Sequence, residues 1–96
     1  MKYTVVWVWD AEADLAKLWV NADSDLRRAI QSAADACDRS LSFNAHLNGS
    51  SRSGNQRVLY ISPLIFDFEV IADDRVARVL SVRLDPAVAS SNGRHL

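Results

Sequence analysis

Five arginines in the segment 52–83 are the side chains best suited to bind a charged ligand. They are Arg52, Arg57, Arg75, Arg78 and Arg83. A guanidinium group holds a phosphate or a carboxylate through two parallel hydrogen bonds. Arg52, Arg57 and Arg83 are candidate phosphate contacts, because three arginines at one end of a predicted sheet would form an anion site.

The alternative is that each arginine is a solvated charge at a strand end and pairs with a nearby carboxylate. The carboxylates close in sequence are Asp67, Glu69, Asp73 and Asp74. Surface ion pairs of this kind are common and contribute little to stability. Both interpretations stay open on the sequence alone.

The other residue types that carry chemistry are isolated in the sequence. His46 has no second histidine, aspartate or cysteine at metal-ligand spacing, so we expect neither a metal nor a cofactor. Cys37 falls on the apolar stripe of a predicted helix, which is typical of a small core residue. Tyr60 alternates with Val58 and is expected to be half-buried. The three tryptophans favour core packing over a stacking platform for bases.

Length and composition restrict the class of protein. The chain has 96 residues, 49% of them hydrophobic and 24% charged, which predicts one small globular domain. A net charge of −1 gives no support for general nucleic-acid binding. A single cysteine and the absence of a signal-like or membrane-spanning stretch predict a cytoplasmic protein that does not insert into a membrane.

Three apolar runs between Gln56 and Leu84 predict a meander of antiparallel strands. Leu64, Phe66, Phe68 and Val70 alternate with more polar residues in the middle run, and Leu80, Val82 and Leu84 alternate in the last. A period of two places each set on one side of a strand. The short connections between the runs join only antiparallel neighbours. A further strand is predicted at Tyr3–Trp9.

Two helices are predicted between the first strand and the meander. Asp10 is the expected N-cap of the first, and Asp23 or Ser24 that of the second. The second helix carries a regular apolar stripe, made of Leu26, Ile30, Ala33, Cys37 and Leu41. The predicted fold is therefore α+β, in the order β-α-α-β-β-β, with two helices on one face of a four-stranded, mostly antiparallel sheet. We expect one domain at 1–86, a loop at 44–55 and a flexible tail at 87–96.

This order resembles the RelE/ParE superfamily of toxins from bacterial type II toxin–antitoxin pairs. The segments that carry the resemblance are Tyr3–Trp7, Glu12–Leu18, Gly49–Arg52, Arg57–Tyr60, Pro63–Asp74 and Val79–Arg83. The resemblance implies a RelE/ParE-like fold and a cognate antitoxin protein as partner. It further implies growth inhibition through ribosome-dependent mRNA cleavage or through DNA gyrase.

The residues depart from the nuclease branch of this superfamily. Cleavage of RNA would use Arg52, Arg57 and Arg83 on the phosphate, together with an acid and a base. Asp67 stands on the strand where nuclease members place cations, and a carboxylate there repels phosphate. His95 lies in the expected tail. An alternative is therefore a non-catalytic protein-binding domain of the same fold, either an inactive toxin relative or a homodimeric interaction module.

Overall fold

The computed structural model describes residues 1–88, and part of the predicted tail at 87–96, including His95, lies outside the described residues. The helices are α1 (Trp9–Val20) and α2 (Ser24–Ser42), followed by a 3₁₀ turn at Ala45–Leu47. The strands are β1 (Thr4–Trp7), β2 (Ser50–Ser53), β3 (Gln56–Ile61), β4 (Leu64–Ile71) and β5 (Val76–Leu84). None of the described helices is long and apolar enough to cross a membrane.

All the strands join one sheet in the order β1-β5-β4-β3-β2, so β4 is the central strand. The meander from β3 to β5 is antiparallel, as predicted, with Phe66 opposite Leu59 on one side and Val82 on the other. β1 runs parallel to β5, with Thr4 opposite Val76. The first of the described strands therefore lies next to the last of them.

The prediction of four strands is wrong, because Ser50–Ser53 forms a fifth strand at the edge of the sheet. Every residue of β2 is exposed and the strand contains no apolar residue, so the alternation that marks the other strands is missing. β2 pairs with β3, with Ser50 opposite Val58, through a short turn at Gly54 and Asn55. The predicted loop at 44–55 is thus mostly ordered structure.

The core lies between β4 and the two helices. Leu64, Phe66, Phe68 and Val70 on one side of β4 are buried, as their spacing predicts. The stripe on α2 packs against them, with Ile30, Ala33, Cys37 and Leu41 at most 2% exposed. Leu26 is half-buried at the edge of this core. Asp23 caps α2 as expected, since its carboxylate accepts a hydrogen bond of 2.8 Å from the Leu26 amide.

The start of α1 differs from the prediction. The first strand ends at Trp7 and the N-cap is Val8, whose side chain makes no capping bond, so Asp10 lies inside the first turn instead. The negative charge of Asp10 still favours that turn through the helix dipole. Further along, Asp14 accepts a hydrogen bond of 3.1 Å from the Val82 amide on β5. β1 ends at Trp7 and does not extend as far as Val82 on β5. The Asp14 carboxylate therefore accepts the hydrogen bond that the backbone of a neighbouring strand would otherwise accept.

β5 contains a bulge that changes which of its residues reach the core. Phe68 pairs with Val79, and the next residue back on β4, Asp67, pairs with Ser81, so Leu80 is the extra residue. Val79 and Val82 are buried, whereas Leu80 is half-buried. The predicted alternation therefore holds only after the bulge.

We expect Gly49→Ala to destabilise the fold strongly. Gly49 has φ of +68°, and a Cβ atom there would lie 2.3 Å from the Val58 carbonyl oxygen. Backbone strain and the clash together are expected to lower the free energy of unfolding by about 3 kcal/mol or more. Gly54→Ala is the matched control, because Gly54 also has positive φ but no atom within 4 Å of the added Cβ.

Urea unfolding followed by circular dichroism measures both variants. Gly54→Ala is expected to cost about 1 kcal/mol, the strain of the left-handed conformation alone. Equal losses for the two alanine variants would contradict the close approach of Gly49 to β3.

Candidate functional site

The face of the sheet opposite the core carries a cluster of charged residues. Because side chains alternate along β4, Asp67 and Glu69 point away from Phe66 and Phe68, against which the helices pack. We call the group formed by Arg52, Asp67, Ser81 and Arg83 the Asp67 cluster. It combines one carboxylate with two cations and a hydroxyl.

Both carboxylate oxygens of Asp67 accept hydrogen bonds. Arg52 donates from Nη1 to Oδ1 at 2.8 Å. Ser81 donates from Oγ to Oδ2 at 2.7 Å, and Arg83 donates from Nη1 to the same oxygen. The Asp67 side chain is 18% exposed, whereas those of Arg52 and Arg83 are 54% and 47% exposed. The carboxylate is thus enclosed by cations that themselves face solvent.

Strand register explains how the cluster forms. Asp67 lies opposite Ser81, and Arg83 follows two residues later on the same side of β5. Arg52 comes from the edge strand β2, two strands and about 10 Å from β4, and only a long side chain reaches across β3. The bulge at Leu80 matters here, because it sets Ser81 and Arg83 on the outer face.

The pKa of Asp67 lies below its usual value. Partial burial by itself raises the pKa, but the hydrogen bonds from Ser81, Arg83 and Arg52, together with the charge of Arg83, lower it by more. Asp67 is therefore ionised throughout the neutral pH range.

A second ion pair lies beside the cluster. Arg78 donates from Nη1 to Glu69 Oε2 at 2.7 Å, and the two residues are opposite each other on β5 and β4. The interpretation of the arginines as partners of nearby carboxylates is therefore confirmed for Arg52, Arg78 and Arg83. Their contact with phosphate stays a prediction.

Arg57 does not join the other arginines. It lies opposite Phe68 and shares the core side of β3 with Leu59 and Ile61. Its guanidinium donates to the carbonyl oxygens of Asn48 at 2.6 Å and Gly49 at 2.9 Å. The expected convergence of three arginines is therefore wrong for Arg57, which holds the segment before β2 in place. Arg57, Leu59 and Ile61 are spaced two residues apart along β3. This spacing in the sequence indicates that Arg57 lies on the core side of the strand.

Tyr60 is a surface residue, and the prediction that it is half-buried is wrong. Its side chain is 62% exposed instead of half-buried. Tyr60 lies opposite Ile65, and Ile65 lies opposite Arg83, so the phenol shares the outer face with the Asp67 cluster. Its position between Leu59 and Ile61, both of which pack on the core, would have indicated this.

A groove lies between α1 and α2 on the other side of the molecule. It encloses about 550 Å³. Its walls include Trp7 and Trp19 and the carboxylates of Glu12, Asp35 and Asp38. Trp7 donates from Nε1 to Asp38 Oδ1 at 2.7 Å, which fixes one wall. The groove thus combines apolar aromatic surface with negative charge.

Cys37 and His46 have structural surroundings. Burial, and to a lesser extent the charge of Asp38, raises the pKa of the Cys37 thiol to about 12, so this thiol is not a nucleophile at neutral pH. His46 Nδ1 is 2.9 Å from the hydroxyl of the buried residue Tyr3. Within residues 1–88, no group of three or more potential ligand side chains is placed to hold a metal ion.

No protein-family model matches the chain, and no curated protein matches it by sequence. Solved structures do match it. A chain of the toxin–antitoxin complex RelBE2 from Mycobacterium tuberculosis has a TM-score of 0.70 at 14% identity, covering 88% of this chain and 92% of that chain. A chain of the chromosomal ParDE system from Pseudomonas aeruginosa has a TM-score of 0.66 at 18% identity, covering 86% and 96%. The isolated RelE toxin from Escherichia coli has a TM-score of 0.52 at 18% identity, covering 98% and 99%.

These likenesses define the class of fold. The chain has the α+β fold of RelE and ParE toxins, with its helices on one face of a five-stranded mixed sheet. The resemblance read from the sequence is thus confirmed at the level of fold.

We expect Asp67→Asn to lower the free energy of unfolding by about 1–3 kcal/mol at pH 7, because two guanidinium groups lose their charged partner. Since the folded-state pKa of Asp67 is lowered, its contribution is present above the unfolded-state pKa of about 4 and is lost as pH falls through the lower, folded-state value. Wild type and Asp67→Asn should therefore become similar in stability in strong acid.

Urea unfolding at a series of pH values measures this difference. Asp25→Asn is the control, because the Asp25 side chain is 93% exposed and should change stability little. A gap between wild type and Asp67→Asn that is unchanged in strong acid would contradict the role of the ionised carboxylate.

Proposed function

We propose that the chain is the toxin component of a type II toxin–antitoxin pair and is neutralised by a cognate antitoxin in the cytoplasm. The observation that carries the proposal is the fold, which this chain shares with RelE and ParE chains over most of both lengths. The RelBE2 structure is itself a toxin–antitoxin complex. A fold alone hosts several functions, so the site must indicate how the protein acts.

We infer that the protein inhibits its target by binding it, with DNA gyrase as the candidate target. The support is the Asp67 cluster, in which a carboxylate already occupies the space between Arg52 and Arg83. A phosphodiester bound there would face the negative charge of Asp67. Arg57, the third candidate for phosphate, is engaged with backbone carbonyl groups on the other face.

Induced expression in a bacterium without the antitoxin tests this function. We expect growth arrest with intact transcripts and with loss of negative supercoiling in a reporter plasmid. RNA sequencing of transcript ends and a gyrase assay with purified protein separate the mechanisms. Normal growth in the presence of the folded protein would favour the alternative, a non-catalytic binding domain or homodimeric module of the same fold.

Ribosome-dependent cleavage of mRNA is the second candidate, and the exposed phenol of Tyr60 favours it. Tyr60 and Arg83 flank Ile65 on the outer face of the sheet. A phenol and a guanidinium on the same face, two strands apart, could act on one bound phosphodiester, the phenol by moving a proton and the guanidinium by stabilising charge on the phosphate. Under this mechanism Arg52 and Arg83 would contact the message on the ribosome.

Tyr60→Phe distinguishes the two candidates. The variant removes only a hydroxyl group from a side chain that is 62% exposed, so the fold should be retained. If the protein cleaves RNA through this phenol, cleavage should fall by about 100-fold or more. If it acts by binding, transcripts stay intact with either protein. Tyr3→Phe is unsuitable as a control, because the Tyr3 hydroxyl bonds His46.

We propose that the groove between α1 and α2 receives a basic, amphipathic helix of the antitoxin. The aromatic walls at Trp7 and Trp19 suit apolar side chains, and Glu12, Asp35 and Asp38 suit lysine or arginine. The negative charge of the groove thus favours a positively charged antitoxin helix.

Asp35→Lys should weaken binding of the cognate antitoxin by about tenfold or more, since it places a positive charge in the groove. Asp25→Lys makes the same change of charge on α2 but outside the groove, and should leave affinity nearly unchanged. Calorimetric titration of each variant with the antitoxin measures the difference. Equal effects of the two substitutions would contradict docking in this groove.

A further inference from the structure

The surroundings of Asp67 have the form of an occupied anion site. Two guanidinium groups approach different oxygens of one carboxylate, and the Ser81 hydroxyl adds a third donor. Guanidinium and hydroxyl groups are the donors that proteins use for phosphate and carboxylate ligands. Here the anion belongs to the chain itself.

We propose that Asp67 is an autoinhibitory anion, which fills an oxyanion site formed by Arg52, Ser81 and Arg83 and keeps external phosphate groups from binding there. The occupant of the unblocked site is an oxyanion with two adjacent oxygen atoms. A phosphate group is the principal ligand, and a carboxylate group has the same donor requirements.

The exposure of the arginines supports a site rather than a closed structural ion pair. The side chains of Arg52 and Arg83 are about half exposed, at 54% and 47%, so an external anion can reach both guanidinium groups. Asp67 is held on the central strand and is only 18% exposed. When its charge is removed, two cations remain close together without an anion between them.

The positions of Arg52 and Asp67 in the sheet also make the arginine the easier of the two to displace. Arg52 lies on the edge strand β2, where all four residues are exposed, whereas Asp67 lies between two paired strands. An incoming anion can therefore draw Arg52 away without opening the sheet. Because the pKa of Asp67 is lowered, protonation does not release the site near neutral pH.

The neighbouring ion pair provides a matched comparison. Glu69 and Arg78 lie on the same face, and the Glu69 side chain is also 18% exposed. Glu69 is held by one arginine, whereas Asp67 is held by two and by Ser81. Asp67→Asn and Glu69→Gln thus make the same change in net charge, but only the first unblocks a site with three converging donors.

Titration of the purified full chain with inorganic phosphate at low ionic strength, followed by NMR of the arginine side chains, tests the proposal. We expect Asp67→Asn to bind phosphate at least about tenfold more tightly than wild type, with shifts at Arg52 and Arg83. Glu69→Gln should differ from wild type by less than about twofold. Adding Arg83→Ala to Asp67→Asn should remove the gain. Titration with acetate shows whether a carboxylate is accepted as well.

Two results would overturn the proposal. One is equal phosphate affinity in wild type and a folded Asp67→Asn variant, and the other is an equal gain from Glu69→Gln, which would indicate a general effect of charge. Circular dichroism establishes that each variant is folded, and Asp67→Ser replaces Asp67→Asn if the amide is not tolerated. Micromolar phosphate binding by wild type, which needs no variant, would also exclude autoinhibition. Phosphate binding is measured without antitoxin or target, so the outcome is independent of toxicity.

Discussion

The burial of one side of β4 is the constraint on which the rest of the structure depends. β4 is the central strand, and Phe66 and Phe68 are completely buried beneath the helices. Because side chains alternate along a strand, this burial forces Asp67 and Glu69 onto the opposite face. A slip of one residue would place two carboxylates in the core, at a cost far above that of losing a surface ion pair. The register of the core thus determines the position of the charges.

The sequence predicts the parts of the fold that repeat a pattern of burial. The stripe on α2 and the alternation on β4 are strong signals, because each is repeated several times against one core. β2 gives no such signal, since Ser50–Ser53 is held by backbone hydrogen bonds to β3 and buries nothing. The bulge at Leu80 also escapes prediction, because Leu80 and Val79 are both apolar and only pairing with β4 shows which of them reaches the core.

The candidate site is predictable in part for the same reason. The alternation of side chains along β4 correctly places Asp67 and Phe66 on opposite faces of the sheet. The same alternation along β3 would have placed Arg57 on the core side, away from the other arginines. The short distance between Arg52 and Asp67 is not predictable, because it depends on the edge strand β2, which the sequence does not reveal. The outer face is therefore neither a simple basic patch nor a neutral surface. Its cations are present, but their charge is largely balanced by carboxylates of the same sheet.

The parallel pairing of β1 with β5 has a consequence for how the protein is made. β1 leaves the ribosome before β5, and both helices and the three other strands are synthesised between them. The nascent chain must therefore keep an apolar segment without its partner until β5 has been made, and folding waits for a contact between distant parts of the sequence. Prematurely terminated products lack both that partner and Arg83. A chain with this topology gains its complete sheet and its charged surface together, once β5 has been made.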